Sequence, residues 1–183
     1  SGKNSSDSAL IIDAMDILYT GKVDGFCIVS SDSDFTRLAT RLREAGMKVI
    51  GIGEKKTLTP FITACDKFIY LEILNPENDE TTETTSKEQN EKNKQTPKKP
   101  LSKINPEIIK LIGVSIGDLA DDDGWAYLGD LGNLILKKKP DFDSRNYGYP
   151  KLLSFIKSLQ KFEIDERNAG KNNIKHIYVR KKN

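Results

Sequence analysis

The sequence predicts two small domains of different class: an α/β domain with a parallel sheet, followed by an α+β domain of winged-helix type. Three observations predict this. Up to about residue 75, short apolar runs alternate with apolar positions at helix spacing. Residues 76–103 then carry no aromatic side chain at all. Beyond them come three helix-spaced segments and two strand-like ones.

The elements of the first domain follow in order. Ser6 to Leu18 reads as a helix, with Leu10, Ala14, Ile17 and Leu18 on one face. Phe26-Cys27-Ile28-Val29 is a continuous apolar run, as in a parallel strand buried on both faces. Phe35, Leu38, Ala39 and Leu42 repeat at helical spacing, and Gly46 ends that helix. Residues 48–52 predict a strand, and Thr59-Pro60 opens a short helix with Pro60 suited to its first turn. Residues 68–71 predict a third strand. Helices of this length between strands imply right-handed crossovers and a parallel sheet.

From Asn75-Pro76-Glu77 the composition changes to Glu, Thr, Asn, Lys, Gln and Pro. Such a stretch cannot bury enough apolar surface to offset its ordering entropy, so 76–103 is expected to be a flexible linker. It separates domains at 3–75 and 104–181. In the second, residues 106–112, 125–136 and 150–159 predict helices, and 162–165 and 174–180 predict strands joined by a turn-rich stretch.

Charge distinguishes the halves only modestly. Residues 1–75 hold 9 basic and 10 acidic side chains, whereas residues 104–183 hold 14 and 11. A polyanion suits the second half better than the first. Cys27 and Cys65 sit among hydrophobic neighbours and are too few for a disulfide framework or zinc cluster, so both are expected to be buried thiols in a reducing cytoplasm. His176, with no partner at ligand spacing, is expected to be solvated or packed. No run approaches the roughly 18 apolar residues that span a bilayer, so no membrane association is expected.

The segment richest in chemistry is Val29-Ser30-Ser31-Asp32-Ser33-Asp34-Phe35, where an apolar strand ends in two serines and two aspartates and a helix starts at once. Ligands of open parallel sheets gather beyond the carboxyl ends of strands. Mg²⁺ favours carboxylate oxygens, and Asp32 and Asp34 can face one small volume, with Asp7 offering a third carboxylate from the preceding helix. The competing reading is capping: Asp34, Ser31 or Ser33 at the start of the Phe35 helix. Gly51-x-Gly53 after a strand lacks the third glycine of a dinucleotide loop.

Taken together, Lys3-Asn4-Ser5-Ser6-Asp7, Ile11-Ile12-Asp13-Ala14-Met15-Asp16, the strand end above, Gly51-Ile52-Gly53 and Ala64-Cys65-Asp66-Lys67-Phe68-Ile69 resemble the NYN domain of the LabA-like group. This is a PIN-like nuclease class. The resemblance implies Mg²⁺- or Mn²⁺-dependent RNA cleavage, with Asp7, Asp32 and Asp34 as metal-holding catalytic acids and Asp13 as a second-tier acid. The family's domain opens with a strand bearing the first aspartate of its site, and this stretch starts after that strand. The resemblance therefore implies an NYN domain truncated at its N-terminus, a complete site in a longer parent, and weak cleavage by these residues alone.

In the second half, Gly124-Trp125-Ala126, Leu128-Gly129, Phe142-Asp143-Ser144-Arg145-Asn146-Tyr147-Gly148 and Ile177-Tyr178-Val179-Arg180 occur in an order that resembles the LOTUS domain, or OST-type helix-turn-helix. That resemblance implies binding of single-stranded or structured RNA, including G-rich RNA, and in some members a protein partner. Its pairing with NYN in one chain is a bacterial arrangement. The candidate RNA-binding residues are Lys137, Lys138, Lys139, Arg145, Tyr147, Lys151, Lys175 and Arg180, with Lys157 and Lys171 extending the basic surface. The lysines and arginines suit phosphates, and Tyr147 offers a stacking face. Lys137–Lys139 also read as a solvated helix end, Tyr147-Gly148 as a packing turn, and Trp125, Phe142, Phe155 and Ile156 as core. The functional expectation is a metal-dependent ribonuclease whose LOTUS module captures RNA. The alternatives are a non-catalytic RNA-binding adaptor and a winged-helix DNA regulator, the latter disfavoured because no helix is crowded with Arg, Asn and Gln.

Overall fold

A computed structural model describes residues 3–74, 100–169 and 174–182. Most of the expected linker (its residues 76–99), Lys171 and the tip of the expected hairpin turn (170–173) lie outside the described residues. The chain divides into two compact units between Leu71 and Glu72, with Ile135–Phe142 grouped with the first.

The first unit contains α1 (Lys3–Thr20), β1 (Gly25–Val29), α2 (Thr36–Glu44), β2 (Lys48–Gly53), α3 (Thr59–Ala64) and β3 (Lys67–Tyr70). The strands form a parallel sheet in the order β1-β2-β3, with Gly25 opposite Lys48 and Ile50 opposite Lys67. A parallel sheet with helical crossovers is thus observed, as the alternation predicts. Helix α2 buries Leu38, Ala39 and Leu42, which stand on one face, and the chain leaves it through Gly46 at φ 83°. These side chains meet Ile28, Val49, Phe61, Cys65 and Phe68 in one core. Each large apolar side chain buried this way contributes roughly 1.5–3 kcal/mol. Arg43 pins the last crossover, its Nη1 donating to the Ala64 carbonyl at 3.3 Å and its Nε pairing with Asp66 at 3.2 Å.

Glycine is required at the centre of β2. A Cβ on Gly51 would lie 2.6 Å from the Phe68 ring and 2.8 Å from the Cys65 sulfur. The Gly51-x-Gly53 pair therefore serves close packing.

Two expectations for this unit are corrected. In α1 the residues turned to the core are Ala14, Met15 and Leu18, while Leu10 and Ile17 are exposed. Strand β1 is buried on one face only. Phe26 and Ile28 point inward, whereas Cys27 is exposed and Val29 is 63% exposed. β1 is the edge of the sheet order, and nothing among the described residues covers its outer face. The continuous apolar run thus concealed a two-residue alternation.

The second unit carries α4 (Pro106–Leu119), β4 (Ala126–Tyr127), α5 (Leu128–Lys138) as far as Leu134, α6 (Leu152–Leu159), β5 (Phe162–Ala169) and β6 (Ile174–Lys181). Asn105 caps α4, its side chain accepting from the Ile108 N–H at 3.0 Å, with Pro106 in the first turn. The antiparallel sheet runs β4-β6-β5 and packs Val179 and Phe162 into a core with Ile108, Ile112, Ile116, Leu131, Phe155 and Ile156. Three helices, a hairpin and one short strand make the winged-helix arrangement. Ser102 already donates its N–H to the Asn146 carbonyl at 2.8 Å.

Here the expected helix at 125–136 is corrected. Asp121 accepts from the Trp125 N–H at 2.7 Å, Ala126 and Tyr127 pair with Val179 and Tyr178, and the helix starts only at Leu128. Trp125 is consequently half-buried on the outer face of the sheet and is not a core residue. Phe142, Phe155 and Ile156 are buried as expected. Among the described residues no helix is long and apolar enough to cross a membrane.

Candidate active site and nucleic-acid interface

Beyond β1 the chain folds onto itself through side-chain-to-backbone bonds. Ser30 Oγ accepts from the Asp32 N–H at 3.0 Å, and Asp32 Oδ1 accepts from the Asp34 N–H at 2.9 Å. Ser31 Oγ accepts from the Glu54 N–H at 2.8 Å, tying this turn to the end of β2. A short 3-10 turn at Ser33–Phe35 follows, and buried Phe35 anchors it. Asp32, in extended backbone at φ −85° and ψ 127°, is therefore the cap, and not Asp34, Ser31 or Ser33. Its side chain can both cap and present a carboxylate, so the two readings do not exclude each other.

Asp32 and Asp34 stand exposed beyond the carboxyl end of a parallel strand. Asp7 is half-buried on α1, and Asp13 is exposed on the same helix. Among the described residues no three His, Cys, Asp or Glu side chains are placed to hold a metal ion. Two exposed carboxylates do not fit a cation held by protein ligands alone. They suit a hydrated Mg²⁺ or Mn²⁺ that completes its shell with water and substrate phosphate.

The eight basic and aromatic candidates of the second half separate into two groups. Lys137 and Lys138, at the end of α5, and Lys151, before α6, are exposed. The other five make contacts that define their surroundings. Lys139 pairs with Asp141 at 2.9 Å and Lys175 with Glu166 at 3.2 Å. Asp143 takes both sides of the Arg145 fork, at 2.9 and 2.6 Å, which raises the guanidinium pKa further above its ordinary value. Tyr147 stacks on buried Phe155 with ring centroids 4.9 Å apart and an interplanar angle of 21°. The packing-turn reading therefore holds for Tyr147-Gly148, and Gly148 at φ 84° closes that turn. Arg180 pairs with Glu163 at 2.5 Å. Exposed pairs of this kind are weak, so phosphate can compete for their cations.

With this geometry in hand, the family comparisons decide the architecture. The NYN domain model matches residues 1–72, and the OST-HTH/LOTUS domain model matches residues 99–174. The chain joins an NYN domain to a LOTUS domain. No curated protein matches it. A solution NMR structure of an uncharacterized protein of Nitrosomonas europaea is 35% identical, covering 56% of this chain and 92% of that one, with a TM-score of 0.40.

The LOTUS domain carries a feature that the sequence reading missed. On the outer face of its sheet Trp125 and Tyr127 are joined by His176, Tyr178 and Arg180 of β6 and by Glu163, Asp165 and Arg167 of β5, through the pairings of Tyr127 with Tyr178, Glu163 with Arg180, Asp165 with Tyr178 and Arg167 with His176. The Tyr127 ring lies 5.3 Å from His176 and 5.8 Å from Tyr178. The Arg167 guanidinium lies 4.2 Å from the centre of Tyr178 and 5.4 Å from that of Trp125, and Arg180 lies 4.6 Å from Trp125. The only signal in the sequence was the two-residue spacing of His176, Tyr178 and Arg180.

Proposed function

We propose that this chain binds RNA through its LOTUS domain and presents that RNA to a ribonucleolytic NYN domain, with Asp32 and Asp34 at the reacting phosphodiester. Asp7 and Asp13 on α1 are its outlying acids. The observation that carries this reading is the strand end itself: two exposed carboxylates, held by Ser30, Ser31 and the Asp32 cap, in a chain that also carries an RNA-binding type of domain. Mg²⁺ or Mn²⁺ is the cation proposed; when bound with RNA it supplies charge neutralisation and an activated water. The chain's own groups orient and concentrate. The Ser31–Glu54 bond fixes the turn, and Asp32 and Asp34 would hold a hydrated cation whose positive charge would offset that of the phosphate. Lys137, Lys138 and Lys151 attract the RNA backbone, and a tether between the modules raises its effective concentration at the NYN domain. The free thiols of Cys27 and Cys65 accord with a reducing cytoplasm.

A second reading is favoured by one observation, that no three acids are grouped among the described residues: an RNA-binding adaptor without turnover. One experiment separates them. A labelled single-stranded RNA is incubated with the chain in Mg²⁺, Mn²⁺ or EDTA. Cation-dependent cleavage that Asp32→Asn and Asp34→Asn both abolish supports the nuclease. Retention of RNA without cleavage under every condition supports the adaptor.

A further inference from the structure

The outer face of the β4-β6-β5 sheet presents more planar π surface than its fold requires. Aromatic side chains of small domains are ordinarily turned inward, and Phe155 and Phe162 here are. Tyr127 is instead 38% exposed, and His176 and Tyr178 are half-buried beside it. Its position is nonetheless fixed. A Cβ on Gly129 would stand 2.6 Å from the Tyr127 ring, so the ring packs closely against a glycine, flanked by His176 and Tyr178. An exposed ring that is already held in place loses little conformational entropy when something stacks on it.

The charges on this face decide what that something is. Arg167 is paired with Asp165 at 2.9 Å and Arg180 with Glu163, so the two cations are matched by two acids. Asp121, at the turn before Trp125, accepts from the Trp125 N–H and adds a third carboxylate that acts on Arg167. The strands of this face thus carry no net positive charge, and stacking on rings and on guanidinium planes is the main attraction they offer. At one end the face also meets lysines. There, a cleft of about 550 Å³ is lined by Trp125, Lys157, Gln160, Phe162, Glu163 and Lys182, among others. Flat groups along this surface, with Lys157 and Lys182 lining the cleft at its end, match unpaired nucleobases on a backbone whose phosphates pass that end.

We infer that the outer sheet face of the LOTUS domain is a base-stacking surface for unpaired RNA, with Tyr127 and His176 as the open rings, Arg167 as a guanidinium shelf and Lys157 and Lys182 as phosphate contacts. This rests on the reading that the LOTUS domain binds RNA, and it adds contacts beyond the exposed lysines named above. Because stacking carries the contact, its loss lowers affinity without changing the number of counterions released, whereas loss of a lysine changes both.

The test measures binding of a fluorescent single-stranded RNA and of a fully paired duplex by the full chain across a salt series. Tyr127→Ala is expected to weaken single-strand binding on the order of tenfold with the salt slope unchanged. Tyr127→Phe, which keeps the ring, restores binding, and duplex binding is unaffected by either. Gly129→Ala, which displaces the ring without removing it, weakens single-strand binding to an intermediate extent. Circular dichroism confirms that the variants fold. Unchanged single-strand binding by folded Tyr127→Ala and His176→Ala overturns the inference while leaving LOTUS-mediated RNA binding intact, and assigns the face to a protein partner or to packing. Failure of the unsubstituted chain to bind any RNA overturns both.

Discussion

Asp32 offers a substitution pair in which folding and chemistry come apart. Its Oδ1 accepts the Asp34 N–H at 2.9 Å and so caps the turn into α2. An amide oxygen can accept the same bond, so Asp32→Asn keeps the cap and removes only the charge, whereas Asp32→Ala removes both. Loss of a capping side chain costs about 1 kcal/mol. In a unit of this size 1 kcal/mol lowers the melting temperature by roughly 4–8 °C. Asp32→Ala is therefore expected to melt several degrees lower by far-ultraviolet circular dichroism, with Asp32→Asn close to the unsubstituted chain. The single tryptophan, Trp125, belongs to the other unit, so its fluorescence monitors that unit separately. In the cleavage assay the two variants are expected to be equally inactive despite their different stabilities. Equal destabilisation by Asn and Ala would refute the capping argument, and full cleavage by Asp32→Asn would remove the carboxylate from the chemistry.

The two cysteines are expected to differ sharply towards a thiol reagent. Cys27 is exposed on the outer face of β1, whereas burial pushes the Cys65 thiol up to about 11, so that in the folded chain below that pH it stays protonated and enclosed. One thiol is expected to react promptly at pH 8 and the second only in denaturant; two prompt equivalents would contradict the packing of β2 and β3. Gly51→Ala is expected to destabilise the first unit by about 1–3 kcal/mol, because its methyl meets Phe68 and Cys65 below contact distance, and a urea titration measures it.

The sequence made the first unit legible to the extent that its signals were local. Leu38, Ala39 and Leu42 announce α2, and the strand-end serines and aspartates stand next to one another in the chain. Cys27 shows where locality misleads. An apolar run looks the same whether one face or two are covered, and only what packs on each face of β1 tells them apart. In the second unit Trp125 stands at helical spacing from Leu128, although Gly124, at φ 81° just before it, ends a turn there. What makes residues 126 and 127 a strand is the pairing with Val179 and Tyr178, which no window of sequence contains. The platform on the outer sheet face was hidden for the same reason, since its rings and guanidiniums come from three separated strands. The ion pairs of Arg145, Lys139 and Lys175 illustrate the opposite limit. Their acidic partners were visible as residues, but a basic stretch read by its cations alone overstates its free charge.

The position of β6 between β4 and β5 has a consequence for how the polypeptide matures as it emerges from the ribosome. Until β6 is made, β4 and β5 have no common neighbour, and Trp125 and Tyr127 are already synthesised but have nothing to lie beside. Assembly of the LOTUS sheet must then await its final strand, and a premature stop before residue 174 would leave two short unpaired edges exposed to aggregation.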